Sequence, residues 1–306
     1  MKILCINFNS TIQRTLLFDD FNTGEVNRSK QYFEHASGKG INTARVLNQI
    51  SPSCAEVLCT TGITESNYFK KLLKKDNIKP YFIRIPTKIR HCWTILSKEK
   101  TSEIICEESS PLVLEKANVK YEKKFLSKFN KLIKKFDGIL LAGSCPLFFT
   151  SEIYKDICVI AKENKKIILA DYFGEKLLYT LKHTAPTIIK INEEEFTKTF
   201  LQNKLNEIDL DNYIKKQMNL LSCKYKSIFI VTRGEKSVYI ANNGIFHEIK
   251  TPLLTPVNTT ACGDSFNAGF IYEFLNSKDY LKSTNKGIWC ATKNAQSFTP
   301  GSINSE

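Results

Sequence analysis

The chain has 306 residues with a 42% apolar fraction, enough for one large α/β domain or two modest ones and too apolar for a disordered chain. No stretch approaches the length of a membrane span, and the apolar ILCINF after Met1 and Lys2 is too short for a secretory signal and lacks a cleavage region, so a cytoplasmic protein is expected. The net charge of +13 does not mark a nucleic-acid binder: lysines such as Lys70, Lys71, Lys74, Lys75, Lys123, Lys124, Lys128 and Lys131 lie along predicted helix faces, with no basic run interleaved with aromatics.

Lys2 to Phe8 reads as a buried strand. Residues 24–36 are polar and partly alternating, in the manner of exposed strands. In SGKGINTARVLNQI the apolar spacing predicts a helix opening immediately after Gly40. A strand at Val57–Thr60, a helix at Glu65–Lys75 and a strand at Pro80–Ile85 follow. His91–Ser97 and Glu103–Glu107 read as a hairpin joined by the charged turn KEKT. A βα rhythm then sets in. Helices are predicted over 118–136, 151–164 and 211–222, and strands over Gly138–Ala142, Ile167–Ala170, Thr187–Ile191 and Ser227–Val231. Val238–Ala241 and Ile245–Ile249 form a hairpin across Asn242, Asn243 and Gly244, and helices near 264–276 and 279–297 close the chain. Ten cysteines are scattered without a C-x-x-C pair, mostly in apolar runs (Cys5, Cys59, Cys106, Cys158), and read as buried, reduced thiols with no zinc site.

Continuous apolar strands alternating with amphipathic helices imply an α/β fold, with a mostly parallel sheet covered on both faces. The strand-rich polar segments, about 11–36 and 87–108, break that rhythm and are expected to form a small β layer inserted in a single domain spanning 1–306. Ligands of such sheets sit beyond the carboxyl ends of the strands. Asn9, Gly62, Gly143, Asp171, Asn192, Thr232 and Gly234 fall there.

One stretch, TPVNTTACGDSFNAGF (255–270), carries more chemistry than the rest. Small residues Ala261, Cys262 and Gly263 precede an apolar helical pattern, so an anion can approach the amides of a helix N-terminus. Asp264 beside such a nest suits removal of a proton from a hydroxyl that attacks a bound phosphate. An ordinary helix start, with Asp264 favoured by the dipole, fits the same residues.

GEVNR (24–28), SGKGINTARVL (37–47), GSCP (143–146), N-x-x-E (192–195), TRG (232–234) and NTTACGDSFNAGF (258–270), in this order, resemble the signatures of the ribokinase-like (PfkB) sugar kinases. The layout is most similar to the 1-phosphofructokinase and tagatose-6-phosphate kinase branch, and the resemblance covers essentially the whole chain. It implies a ribokinase-like three-layer α/β/α core with a β-sheet lid, and Mg²⁺-assisted transfer from ATP to a sugar hydroxyl. By position it makes Asp264 the general base and Ala261, Cys262 and Gly263 the anion hole. Gly38, Gly40 and Asn42 would meet the sugar, together with Gln13, and Lys39 and Arg90 would hold the phosphate it already carries. Asn192 and Glu195 would organise Mg²⁺ through water. Asn192, Thr232, Gly234 and Asn294 would line the nucleotide site. The chain departs from the family pattern at Gln13, where an acidic residue is usual, at Cys92 in place of an asparagine, at Ala261 in place of a glycine and at Ser237 in place of another. Fructose 1-phosphate is the expected acceptor. Tagatose 6-phosphate, fructose 6-phosphate or a non-catalytic sugar-phosphate regulator remain open, as does the choice between a dimer joined through the lid and a monomer with a flap.

Overall fold

The computed structural model describes residues 1–98, 101–106, 118–144, 146, 149–150, 152–201 and 209–304. Among these, nine strands form one sheet and four form a second. The larger sheet contains β1 (Ile3–Asn7), β4 (Ala55–Gly62), β5 (Lys79–Ile85), β8 (Gly138–Ala142), β9 (Ile167–Asp171), β10 (Ile188–Asn192), β11 (Ile228–Thr232), β12 (Ser237–Asn242) and β13 (Ile245–Lys250), in the order β13-β12-β11-β10-β9-β8-β1-β4-β5. The pairings from β11 through to β5 are parallel, and β12 and β13 add an antiparallel edge. That edge hairpin turns through Asn243 (φ 48°) and Gly244 (φ 79°), the two successive left-handed residues a two-residue turn requires.

Both faces of the sheet are buried, which is why its strands are apolar throughout rather than alternating. One face packs on α1 (Lys39–Ile50), α2 (Ser66–Lys75), α8 (Cys262–Ser277) and α9 (Tyr280–Ala295), through side chains such as Ile41, Leu72, Phe270 and Cys290. The other packs on α3 (Asn118–Leu132), α4 (Glu152–Glu163), α5 (Glu175–His183), α6 (Glu193–Phe200) and α7 (Leu210–Tyr225), through Phe129, Ile157, Leu177, Phe196 and Met218. No helix among the described residues is long and apolar enough to cross a membrane.

The second sheet has the order β3-β2-β6-β7, built from β2 (Thr11–Leu17), β3 (Gln31–Ser37), β6 (Arg90–Leu96) and β7 (Thr101–Cys106). Its central pair, β2 with β6, is parallel, so two separate excursions from the core interlock.

Four sequence readings change. Only Gln31–Ser37 of the 24–36 segment is a strand, because the stretch from Gly24 to Lys30 is turn and coil, held by the Asn27 amide on the backbone of Asn22 and Glu25. Helix α1 begins at Lys39, before Gly40, with Gly38 at φ 126° as its N-cap. Helix α5 falls where the sequence reading placed none, and the N-x-x-E spacing at Asn192–Glu195 opens α6 as a capping box. Cys106 is exposed on the edge strand β7, whereas Cys5, Cys59 and Cys158 are buried thiols. Glu99, Lys100, Glu107 and Cys145 lie outside the described residues.

Candidate active site

The carboxyl ends of β1, β8 and β9 meet the first turns of α1 and α8: Asn7 accepts from the Gly40 amide, Gly143 lies against Lys39, and Asp171 accepts from Lys39 and Asn267. Helix α8 starts from Ala261, whose left-handed backbone (φ 66°) turns the chain into the helix, and no side chain caps it. The Cys262 amide donates to Thr259 O (3.2 Å), so the amides that follow it in the first turn are the ones a helix N-terminus offers to an anion.

Asp264 sits in that turn and is only 6% exposed. Its Oδ2 accepts from Asn42 Nδ2 at 2.9 Å, and its backbone carbonyl accepts from Thr43 Oγ1 at 3.1 Å. Both partners come from α1. The Asn42 amide is fixed from its other end, where its Oδ1 accepts from Ser37 Oγ (3.0 Å) and Arg45 Nη1 (3.2 Å). Burial pushes the Asp264 carboxyl up to about 6, and the charge of Asp171 adds to this, while Lys39, Lys190 and the Asn42 hydrogen bond work against it. A carboxylate tuned toward neutrality, yet ionised at pH 7, suits a general base.

Beside it lies a second buried carboxylate. Asp171, at the end of β9, is wholly buried; its Oδ1 accepts from Lys39 Nζ (2.9 Å), and its Oδ2 from Asn267 Nδ2 (2.6 Å) and Lys190 Nζ (3.2 Å). Burial alone would raise its pKa; the two lysines and Asn267 outweigh that and hold it well below the carboxylate range. Lys39 also lies 3.8 Å from Glu195 Oε1, and these acidic neighbours outweigh burial to keep its ammonium charged. The structure thus places Lys39 beside Asp171, Glu195 and Asp264, on the core side of the site.

Asn192 and Glu195 form a reciprocal capping box at the start of α6, with bonds of 2.8 and 2.9 Å. This occupies Asn192 Oδ1 and Glu195 Oε2 and leaves Glu195 Oε1 toward Lys39. The described residues contain no cluster of three or more His, Cys, Asp or Glu side chains able to hold a metal. A magnesium ion that keeps most of its waters and takes few protein oxygens fits this donor set. Asn192 pairs in register with Thr232 at the end of β11, and Gly234 follows at φ 62° with open space around it. Arg233, between them, is turned away into ion pairs with Glu193 and Asp211. Asn294 is wholly buried. Its Nδ2 donates to Thr260 O (2.8 Å) and Cys262 Sγ (3.3 Å), and its Oδ1 accepts from the amides of Gly301 and Ser302, so it braces the nest loop. Burial pushes the Cys262 thiol up, away from the nucleophilic thiolate.

The smaller sheet closes the opposite side. Arg90 Nε donates to Thr11 Oγ1 (3.0 Å), and among the described residues Arg90 forms no ion pair. Gln13 is buried and donates to Thr94 Oγ1 at 2.7 Å, in register with Cys92. Thr260 Oγ1 donates to Glu103 Oε1 on β7 (2.9 Å), and Phe33 stacks on Phe298, so this sheet touches the nest loop and the C-terminal segment.

Sequence reasoning placed Asp171 only at a strand end and did not single out Lys190, Asn267 or Glu103. Lys190 carried a signal: it interrupts the apolar strand IIKIN.

The model of the pfkB family carbohydrate kinases matches residues 4–306. The chain belongs to that family: it is a carbohydrate kinase, and family membership makes ATP its phosphoryl donor. The tagatose-6-phosphate kinase of Staphylococcus epidermidis is 26% identical over 99% of this chain and 95% of its own length. Solved structures share the fold. A possible 1-phosphofructokinase from Thermotoga maritima has a TM-score of 0.84 at 17% identity, covering 98% of this chain and 93% of that one. Phosphofructokinase-2 from Escherichia coli, in complex with substrates and products, has a TM-score of 0.82 at 14% identity, covering 97% and 94%.

Proposed function

We propose that this chain is a cytoplasmic sugar-phosphate kinase whose acceptor is fructose 1-phosphate, giving fructose 1,6-bisphosphate and ADP. The observation that carries the reading is the buried Asp264 carboxylate, held by Asn42 beside the uncapped N-terminus of α8. Asp264 takes the proton of the attacking hydroxyl, and the amides of the Ala261–Cys262–Gly263 turn stabilise the phosphoryl group in flight. Gly38 and Gly40, where a Cβ would strike Asn7 and Ile6 of β1, seat the turn that meets the sugar, and Gln13 offers a neutral amide from the smaller sheet. Arg90, without an acidic partner among the described residues, takes the phosphate already on the sugar. Lys39, bound to Asp171, serves the core side of the pocket. Asn192, Thr232 and Gly234 line the nucleotide side, with Asn294 supporting the nest. Glu195 and Asn192 would hold Mg²⁺ through its waters, and the ion would supply positive charge to the phosphates. The smaller sheet acts as a lid on a single kinase domain and offers a surface for a homodimer.

A second acceptor is favoured by one observation, the 26% identity to a tagatose-6-phosphate kinase over nearly the whole chain. ADP release from Mg-ATP, measured with fructose 1-phosphate, fructose 6-phosphate, tagatose 6-phosphate and free sugars, separates these. A kcat/KM highest on fructose 1-phosphate is expected. A higher value on either hexose 6-phosphate would replace the acceptor, and no turnover on any of them would overturn the proposed acceptor set.

A further inference from the structure

One face of the smaller sheet meets helix α2. Its base there is apolar: Ile12, Ala36 and Ile89 lie in the same core layer as Phe69 and Leu72 of α2. Further along, the face turns polar and a chain of side chains crosses it. Tyr68, on α2, donates its hydroxyl to Glu34 Oε1 on β3. Glu34 Oε2 pairs with Arg14 Nε on β2 at 2.5 Å. Arg14 Nη1 lies 2.9 Å from His91 Nδ1 on β6. His91 Nε2 lies 3.2 Å from an oxygen of Glu65, the residue at the N-cap of α2. The chain thus leaves α2 at Tyr68, crosses three adjacent strands and returns to α2 at Glu65.

A guanidinium only donates, so His91 Nδ1 is the acceptor, and the ring proton sits on Nε2 and is donated to Glu65. Each link then joins a donor to an acceptor. Isolated surface pairs hold little, but the side chains of Arg14, Glu34 and His91 are only 26%, 14% and 19% exposed. His91 also stacks on Trp93, with the Arg14 guanidinium 5.8 Å from the same ring. The Glu65 carboxylate makes no capping bond to its helix, so its bond to His91 is not a by-product of starting α2. Successive residues of a strand face opposite sides. Arg14 follows Gln13 and His91 follows Arg90, so the residues tied to α2 stand back to back with the two proposed to meet the sugar phosphate. The Arg90 side chain is steadied by Thr11 Oγ1 at one nitrogen, and its place is otherwise set by the backbone of β6.

We propose that Arg14, His91 and Glu65 are positioning residues for the acceptor: they fix β6 against α2 and so hold Arg90 where it takes the phosphate of the sugar. The inference rests on the proposed role of Arg90. The three residues touch no substrate and act through Arg90. A phosphate clamp that loosens alike in ground state and transition state raises KM for the sugar phosphate and leaves kcat in place.

The test cuts the chain at its two ends on α2, with Glu65→Ala and Tyr68→Phe combined, and keeps Glu65→Gln as the conservative control. Both residues lie at the surface of the helix, Tyr68 43% exposed, so the core is untouched. Steady-state kinetics are measured with Mg-ATP and fructose 1-phosphate, and in parallel with fructose 6-phosphate, in the wild-type and Arg90→Ala backgrounds. The combined variant is expected to raise KM for the sugar phosphate by about 3–10-fold, with kcat and KM for ATP within about twofold. Glu65→Gln keeps an oxygen for His91 Nε2 and should stay within about twofold of wild type. In the Arg90→Ala background the same cuts should raise KM no further, because the group they position is gone. Amide exchange read by mass spectrometry should quicken in β2 and β6 of the combined variant and not in β10 or β11. Faster exchange with an unmoved sugar-phosphate KM would make the chain a structural tie only and overturn the proposal. So would unchanged exchange, or cuts whose effect on KM multiplies with that of Arg90→Ala. Arg90→Ala with an unmoved KM, or no turnover on either sugar phosphate, would instead remove the reading of Arg90, and this inference with it.

Discussion

Replacing Asp264 with Asn is expected to make the protein more stable while removing its activity. Asn keeps the shape of the side chain and an oxygen to accept from Asn42 Nδ2, and it cannot ionise. In the native protein burial lifts the Asp264 carboxyl from 3.8 to about 6. Between those values the native state holds a proton that the unfolded chain has released, so wild-type stability falls as pH rises through that window. The full cost, above pH 7, is about two pH units' worth, roughly 3 kcal/mol. The variant escapes it. Urea unfolding of both proteins at pH 7.5, 6.0 and 4.5 reads the difference directly, since every other titrating group is common to the two. The expected gain is close to its maximum at pH 7.5, smaller at 6.0 and nearly gone at 4.5. Turnover should fall by about 10²–10⁴-fold, the usual contribution of a positioned base. A variant no more stable than wild type at pH 7.5, or a gain that stays flat down to pH 4.5, would refute the idea that a destabilising buried charge sits at this position. Unchanged turnover would refute its role as base.

Arg90→Ala is expected to raise KM for the sugar phosphate by about 10–100-fold with kcat little changed, the value of a charge-assisted hydrogen bond lost from ground state and transition state alike; steady-state kinetics with the sugar phosphate varied would test it, and an unmoved KM would remove Arg90 from the pocket. Ala261→Gly should stabilise the fold by about 0.5–1 kcal/mol: a left-handed backbone at φ 66° costs a non-glycine residue about 1–2 kcal/mol, and the added freedom of glycine in the unfolded chain returns part of it. A higher urea midpoint with an unchanged slope is the expected reading.

The parallel core was legible because strands buried on both faces must be apolar along their length, and Gly138–Ala142 and Ile228–Thr232 advertise this. The helix start near 261–264 was legible for a similar reason, since small residues precede an apolar helical pattern there, while those residues alone left open whether it binds an anion. The partnerships were not. Nothing local to Asn42 says that its amide is turned toward a carboxylate 222 positions away, or that Ser37 and Arg45 fix it from behind. The family resemblance assigns Lys39 to the sugar phosphate, and nothing local to it says that the turn of α1 delivers its ammonium to Asp171. Helix α5 escaped notice because EKLLYTLKH is short and mixes polar and apolar residues without a side-chain N-cap; Gly174, at φ 72°, starts it instead.

The pairing of β2 with β6 has a consequence for the order in which the molecule assembles. Each residue of β2 meets a partner 79 positions later, as Thr11 meets Arg90. Closing so long a loop has its entropic cost before the contact returns anything, so this sheet is expected to condense after β1, β4 and β5 have formed the floor beneath it. Gln13, Arg90 and Glu103 all sit on it. The residues proposed to meet the acceptor therefore rest on a pairing that closes a longer loop than the β1–β4 and β4–β5 pairings do.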